Sequence, residues 1–147
     1  FREVLNHTLN EFNGNEHADG GVNFQNDNSL LLWDNKSKKD GTPYKFPDSH
    51  LRQFRRYIRN EAGKGKRVNC FLIITAEIDP SAERNAVKLK AESGVDTDIA
   101  LITAENLKLV AESWKKYSSK DNFNLHVFNT TGILNWESLR ERMKWHE

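Results

Sequence analysis

Residues 18–36, ADGGVNFQNDNSLLLWDNK, decide the fold of this 147-residue chain. Leu30-Leu31-Leu32-Trp33 has the apolar continuity of a buried strand, and Asn26-Asp27-Asn28 ahead of it are residue types that tolerate positive φ in a turn. The stretch therefore predicts two strands, roughly 18–25 and 29–37, joined as a hairpin. A hairpin returns its far ends to one place, so Asp19 and Asp34 are expected side by side although 15 positions apart. Side chains alternate with period 2 along a strand, which puts Lys36 on the face of Asp34. Two carboxylates converging at a strand end offer oxygen ligands to a hard divalent cation, here Mg²⁺, with the main-chain carbonyl of Asn35 as a further oxygen. Gly20 and Gly21 are expected to let the backbone approach a metal or a phosphate closely. Such a set suits phosphodiester hydrolysis. The cation would polarise the phosphate and acidify a bound water, while Lys36 holds or helps deprotonate that water and offsets developing charge.

Charge around this stretch is uneven. The net charge is +1, yet residues 36–67 hold 11 Lys/Arg against three acids, a local net of +8 that leaves −7 elsewhere. A basic block beside two carboxylates and a lysine points to a polyanion approaching that face. Lys38, Lys39, Arg52, Arg55, Arg56 and Arg59 are the candidate contacts to double-stranded DNA, against the plainer reading of a solvated charged helix.

The remaining composition is that of a soluble globular domain, with 37% hydrophobic and 29% charged residues and no apolar run long enough for a membrane span. A lone Cys70 within an apolar run rules out a disulfide framework and fits a reducing cytoplasm. It reads as a small apolar filler. The five histidines lack zinc spacing, and the four tryptophans sit at core periodicity. The length suits one domain, 1–147. Because the chain opens at Phe1 without Met and carries no helix-turn-helix or finger pattern, it is read as a fragment whose DNA-recognition domain or subunit is separate.

Taken in order, residues 1–12 have the apolar stripe of an amphipathic helix, with Glu3 and Glu11 as its acids. Residues 37–47 read as an irregular loop. A basic helix follows to about Ala62, with Asp48 or Ser49 as its N-cap and Leu51, Phe54, Tyr57 and Ile58 turned inward. His50 and Gln53 lie at its start, nearest Lys36, where either could orient a water, although surface polar residues are the commoner reading. A buried strand is expected over 68–76, a helix over 79–93, a strand over 99–103, a helix over 104–117, an edge strand over 124–128 and a last helix over 135–144. Strand–helix alternation after a hairpin argues for an α/β domain, a mixed central sheet flanked by helices.

The string from ADGGVNF through WDNKSK, FPDSHLRQFRRYIRN and FLIIT to TTGILNWESLRERM resembles the PD-(D/E)XK nucleases, specifically the FokI-like cleavage domain of type IIS restriction endonucleases. The likeness spans nearly the whole chain. It implies a restriction-endonuclease-like fold, Mg²⁺-dependent DNA cleavage leaving 5′-phosphates, and Asp19, Asp34 and Lys36 as the catalytic residues. It also implies a metal-shell glutamate from the first helix, where Glu3 matches in spacing and a solvent-facing glutamate is the plain alternative. Ala18 stands where the family usually has Pro. The resemblance also implies a transient dimer through the helix at 48–62, but the cross-subunit Asp–Arg pairing by which the family makes it is not preserved. Aligned on Tyr57, the acidic position falls on Arg52, four before Arg56, so a transient dimer in that register would set arginine against arginine. The rival functions are a repair or junction-resolving nuclease of the same fold, and a non-catalytic nucleic-acid-binding module. An intact Asp19, Asp34 and Lys36 speaks against the second.

Overall fold

A computed structural model describes residues 9–10, 18–24, 29–36, 41–94, 96–117 and 125–144. Among the described residues six strands form one sheet in which neighbours in sequence are neighbours in space. They are β1 (Leu9–Asn10), β2 (Gly20–Asn23), β3 (Ser29–Asn35), β4 (Arg67–Thr75), β5 (Asp98–Thr103) and β6 (Gly132–Ile133). The first three pair antiparallel, and β3 through β6 pair parallel. The parallel half is fed by helices α1 (Asp48–Gly63), α2 (Ala82–Glu92) and α3 (Ala104–Tyr117), and α4 (Trp136–Lys144) follows β6.

Alternation along the strands builds two cores, one on each face. Leu30, Leu32, Phe71, Ile73, Ile99 and Leu101 pack beneath α1 and α2, against Leu51, Phe54, Ile58, Ala86 and Leu89. The intervening Leu31, Cys70, Leu72, Ile74, Ala100 and Ile102 face α3 and α4, against Val110, Trp114, Leu139 and Met143. This explains why β3, β4 and β5 read as unbroken apolar runs: both faces are covered. The expected mixed sheet flanked by helices is the fold observed.

Four details differ from expectation. Leu9 and Asn10, expected inside a helix over 1–12, pair with Val22 and Gly21 as strand β1, and the rest of that segment lies outside the described residues. Pro47, not Asp48 or Ser49, occupies the N-cap of α1, and no side chain caps it. Asp48 instead accepts from Asn85 Nδ2 at 2.9 Å. The segment at the expected edge strand 124–128 is a 3₁₀ turn, Leu125–Phe128, which buries Leu125, Val127 and Phe128. The edge position belongs to β6, where Gly132 and Ile133 pair with Ala100 and Leu101. Helix α2 starts at Ala82 rather than 79, because Asp79 Oδ1 accepts from the Ser81 N–H at 2.9 Å and its hydroxyl at 2.7 Å, forming a side-chain-closed turn.

Candidate active site

The hairpin does what its sequence requires. Strands β2 and β3 pair with Gly20 opposite Trp33, which brings Asp19 and Asp34 together where β3 ends. The two residues are cross-tied. The Asp19 N–H donates to Asp34 Oδ1 at 3.0 Å, and the Asn35 N–H donates to Asp19 Oδ2 at 2.8 Å. Each carboxylate is thus held by main chain from the opposite strand, so strand pairing sets their separation. Lys36 N–H continues the parallel ladder onto the Ile74 carbonyl at 2.8 Å. The Lys36 ammonium lies 3.3 Å from Asp34 Oδ2 and sits over the Phe54 ring, 5.6 Å from its centroid. Asp19, Asp34, Asn35 and Lys36 therefore meet at one place, at the carboxyl end of a parallel strand, where α/β sheets bind ligands.

Gly20 serves a different purpose from the one its sequence suggested. A Cβ there would lie 2.5 Å and 2.8 Å from Cε2 and Cη2 of Trp33, and closer still to Cζ2. The space is filled by an indole and not left for a metal or phosphate. Trp33 packs across Gly20 onto the core under α3, buttressing the strand ends that carry the two carboxylates.

Asp34 is buried, with 4% of its surface exposed, while Asp19 faces solvent. Burial pushes the Asp34 carboxyl above the usual carboxylate range, the charge of Asp19 adds to that, and Lys36 with the Asp19 N–H pulls part of it back. Two carboxylates this close, one of them poorly solvated, make a place where a cation is welcome. No group of three or more His, Cys, Asp or Glu side chains with metal-site geometry exists among the described residues. Two carboxylates with a neighbouring carbonyl fit Mg²⁺ nonetheless, since that ion keeps several waters and takes one or two carboxylates. Glu3, Lys38 and Lys39 lie outside the described residues.

Helix α1 supplies a wall that sequence reading only partly located. His50 Nδ1 and the Tyr44 hydroxyl are hydrogen-bonded at 2.8 Å, and their rings stack. His50, Phe54 and Tyr57 run along one side of α1, with Phe54 beneath the Lys36 ammonium. Burial raises the pKa of both tyrosines, and the charge of Asp34 adds to each, with Asp19 also acting on Tyr57. Both phenols lie in the field of the site. The i, i+4 and i, i+7 spacing of His50, Phe54 and Tyr57 was the signal available for this wall.

The four arginines of α1 divide into two pairs. Arg55 donates to Glu92 Oε2 at 3.1 Å, and Arg59 donates to the Glu92 carbonyl at 3.3 Å, so both tie α1 to the end of α2. Arg52 and Arg56 are exposed.

A two-carboxylate and lysine site at the end of a hairpin, in a mixed sheet, is the setting in which comparison with known proteins becomes decisive. Residues 1–134 match the family model described as "FokI, cleavage domain". The chain belongs to the FokI cleavage-domain family. This cleavage domain is similar in structure to the restriction endonuclease FokI, with a TM-score of 0.73 and 15% identity over 92% of the domain and 26% of that chain. FokI bound to DNA gives 0.68 and 17% over the same shares. The small subunit of the heterodimeric restriction endonuclease R.BspD6I gives 0.55 and 16%, over 88% of the domain and 67% of that chain. The domain thus spans about a quarter of the length of FokI. No curated protein matches it. No described helix is long and apolar enough to cross a membrane.

Proposed function

We propose that this cleavage domain hydrolyses phosphodiester bonds of double-stranded DNA in a Mg²⁺-dependent reaction, with Asp19, Asp34 and Lys36 as the catalytic residues. The observation that carries this reading is the cross-tied pair of carboxylates with a lysine 3.3 Å from one of them. Asp19, Asp34 and the Asn35 carbonyl would hold the cation, which supplies charge neutralisation at the phosphate and acidifies water. The Lys36 ammonium, fixed by Asp34 and the Phe54 ring, holds the attacking water by its oxygen and offsets charge on the pentavalent transition state. Tyr44, His50, Phe54 and Tyr57 close one side of the site and limit its solvent. Arg52 and Arg56 are the phosphate contacts that α1 offers most directly, Arg55 and Arg59 being engaged by Glu92. The family assignment supports a restriction role, with recognition by a separate domain or subunit. Pairing of two copies through Arg52 and Arg56 would set like charges against each other, so the partner for double-strand cleavage is better sought in a subunit with acids on that face.

The test is cleavage of supercoiled plasmid by the 147-residue chain with Mg²⁺, with EDTA and as Asp34→Ala, over a range of protein concentrations. Cutting that needs Mg²⁺ and is lost in Asp34→Ala is expected. DNA binding without cutting at any concentration would overturn the nuclease in favour of a binding module.

A further inference from the structure

The residues that α1 turns inward read as core fillers, and one of them, Phe54, has a neighbour that a filler does not need. Its ring is fully buried among the rings of Phe46, His50, Tyr57 and Phe71, whose centroids lie 5.7, 6.0, 6.2 and 4.7 Å away. The Lys36 ammonium stands over the ring, 5.6 Å from its centroid, within the range at which a cation is drawn to the negative face of an aromatic ring. The same ammonium has a second partner in Asp34 Oδ2 at 3.3 Å, while Asp34 Oδ1 accepts the Asp19 N–H. The carboxylate that would hold a divalent cation is thus the one that now holds Lys36, and two cations on one buried carboxylate repel each other. An aromatic face has no such conflict. It attracts the ammonium, offers no oxygen to a hard divalent ion, and leaves N–H groups to spare for a water.

We infer that Phe54 is the positioning residue of Lys36: its ring keeps the ammonium in place when the charge of Asp34 is shared with a divalent cation, so that Lys36 stays aimed at the attacking water. The inference rests on the nuclease function proposed above and names what holds its lysine. Two features suit the ring to this task. Its aromatic neighbours on α1, β4 and the loop before α1 fix it, so the ammonium meets a surface that is already in position. The main chain of Lys36 is fixed as well, its N–H donating to the Ile74 carbonyl at 2.8 Å, so both ends of a side chain rich in rotamers are anchored. A leucine at position 54 would fill much of the same core and would face the ammonium with no negative surface.

The test replaces Phe54 by mono-, di- and trifluorinated phenylalanine, which nearly keep the size of the ring while stripping negative charge from its face step by step. Single-turnover plasmid cleavage at saturating Mg²⁺ is expected to fall along the series, about three- to tenfold by the trifluorinated ring, with DNA affinity in Ca²⁺ within about twofold of wild type. Urea denaturation without divalent cation reads the same contact independently of cleavage. Fluorination is expected to lower the midpoint stepwise with Lys36 present and to leave it level or raise it in Lys36→Met, because every other effect of the fluorines is common to the two backgrounds. A protein that cuts at a rate indifferent to fluorination overturns this role alone. So does a fall in rate accompanied by equal losses of stability in the two backgrounds, which is what a core filler gives. A midpoint that falls while the cleavage rate stays level means that Asp34 keeps the ammonium without help, and this too overturns the role. Wild-type protein that binds DNA but never cuts overturns the nuclease function and this role with it.

Discussion

Gly20→Ala tests the packing that holds the two carboxylates in place. The φ of Gly20 lies outside the left-handed region, so alanine is opposed there by lack of space and not by backbone conformation. Its new Cβ would sit 2.5 Å and 2.8 Å from two atoms of the Trp33 indole. Ordinary carbon contacts begin at about 3.5 Å, so the indole, whose Cζ2 is closer than either of these atoms, would have to retreat by more than ~1 Å. Its inner side rests on the core under α3 and the ring is partly buried, so it can give way only outward. Overpacking of this kind costs about 1–3 kcal/mol, while the stiffer unfolded chain returns about 0.4–1 kcal/mol, for a net loss between roughly 0 and 2.6 kcal/mol. Urea denaturation of Gly20→Ala, Trp33→Leu and the double variant would measure it. The clash disappears when the indole does, so a coupling energy of about 1 kcal/mol is expected, with Gly20→Ala nearly harmless once the smaller leucine side chain has replaced the indole. A coupling below about 0.3 kcal/mol would refute the buttress. DNA cleavage by the single variant should fall as well, because Asp19 adjoins the displaced residue.

Removing the buried charge of Asp34 separates stability from activity. Its carboxyl holds a proton more tightly folded than unfolded, so its contribution to stability is complete at low pH and is lost as pH rises through the folded value. Without divalent cation, Asp34→Asn should therefore melt above wild type near pH 7, with the gap closing near about pH 3, while cleavage is abolished. Thermal melts across pH would show it, and a variant that melts lower at neutral pH would contradict the sign. Arg52→Ala with Arg56→Ala should weaken DNA binding and flatten its salt dependence by about one to two phosphates' worth, as measured by titration at several salt concentrations. Arg55→Ala should cost no more than about 1 kcal/mol of stability, since its ion pair with Glu92 is partly exposed. Cys70 is fully enclosed, its S–H directed at the Phe128 carbonyl and its pKa raised by burial, so a thiol reagent should modify it only at the rate of unfolding.

The parts of this molecule legible in its sequence are those governed by local rules. Period-2 alternation placed Lys36 beside Asp34, and hairpin closure placed Asp19 there too, because both follow from strand geometry alone. Continuous apolar runs identified β3, β4 and β5 for the same reason. The parts that escaped depend on what packs against what. Leu125, Val127 and Phe128 are apolar enough for a strand, yet the edge of β5 is taken by Gly132 and Ile133, so the earlier segment buries its side chains through a 3₁₀ turn instead. In sequence the glycine at position 20 reads as an opening for a ligand, because nothing in a linear chain says that the indole of Trp33 crosses it. The wall formed by Tyr44, His50, Phe54 and Tyr57 needed the docking of α1 over β3, and Tyr44 comes from a loop that no periodicity marks.

The hairpin has two ends, and their roles are separate. At one end Asp19 and Asp34 are cross-tied. At the other, the Phe24 N–H closes onto the Ser29 carbonyl at 3.0 Å. Four paired positions lie between them, from Gly20 opposite Trp33 to Asn23 opposite Leu30. A change in length between Phe24 and Ser29 that respects this closure leaves the carboxylates in register, whereas a one-residue slip within the pairs would turn Asp34 and Lys36 to the opposite face. A relative of this domain could therefore carry its two acids at a different spacing, and a sequence search that fixes that spacing would pass over it.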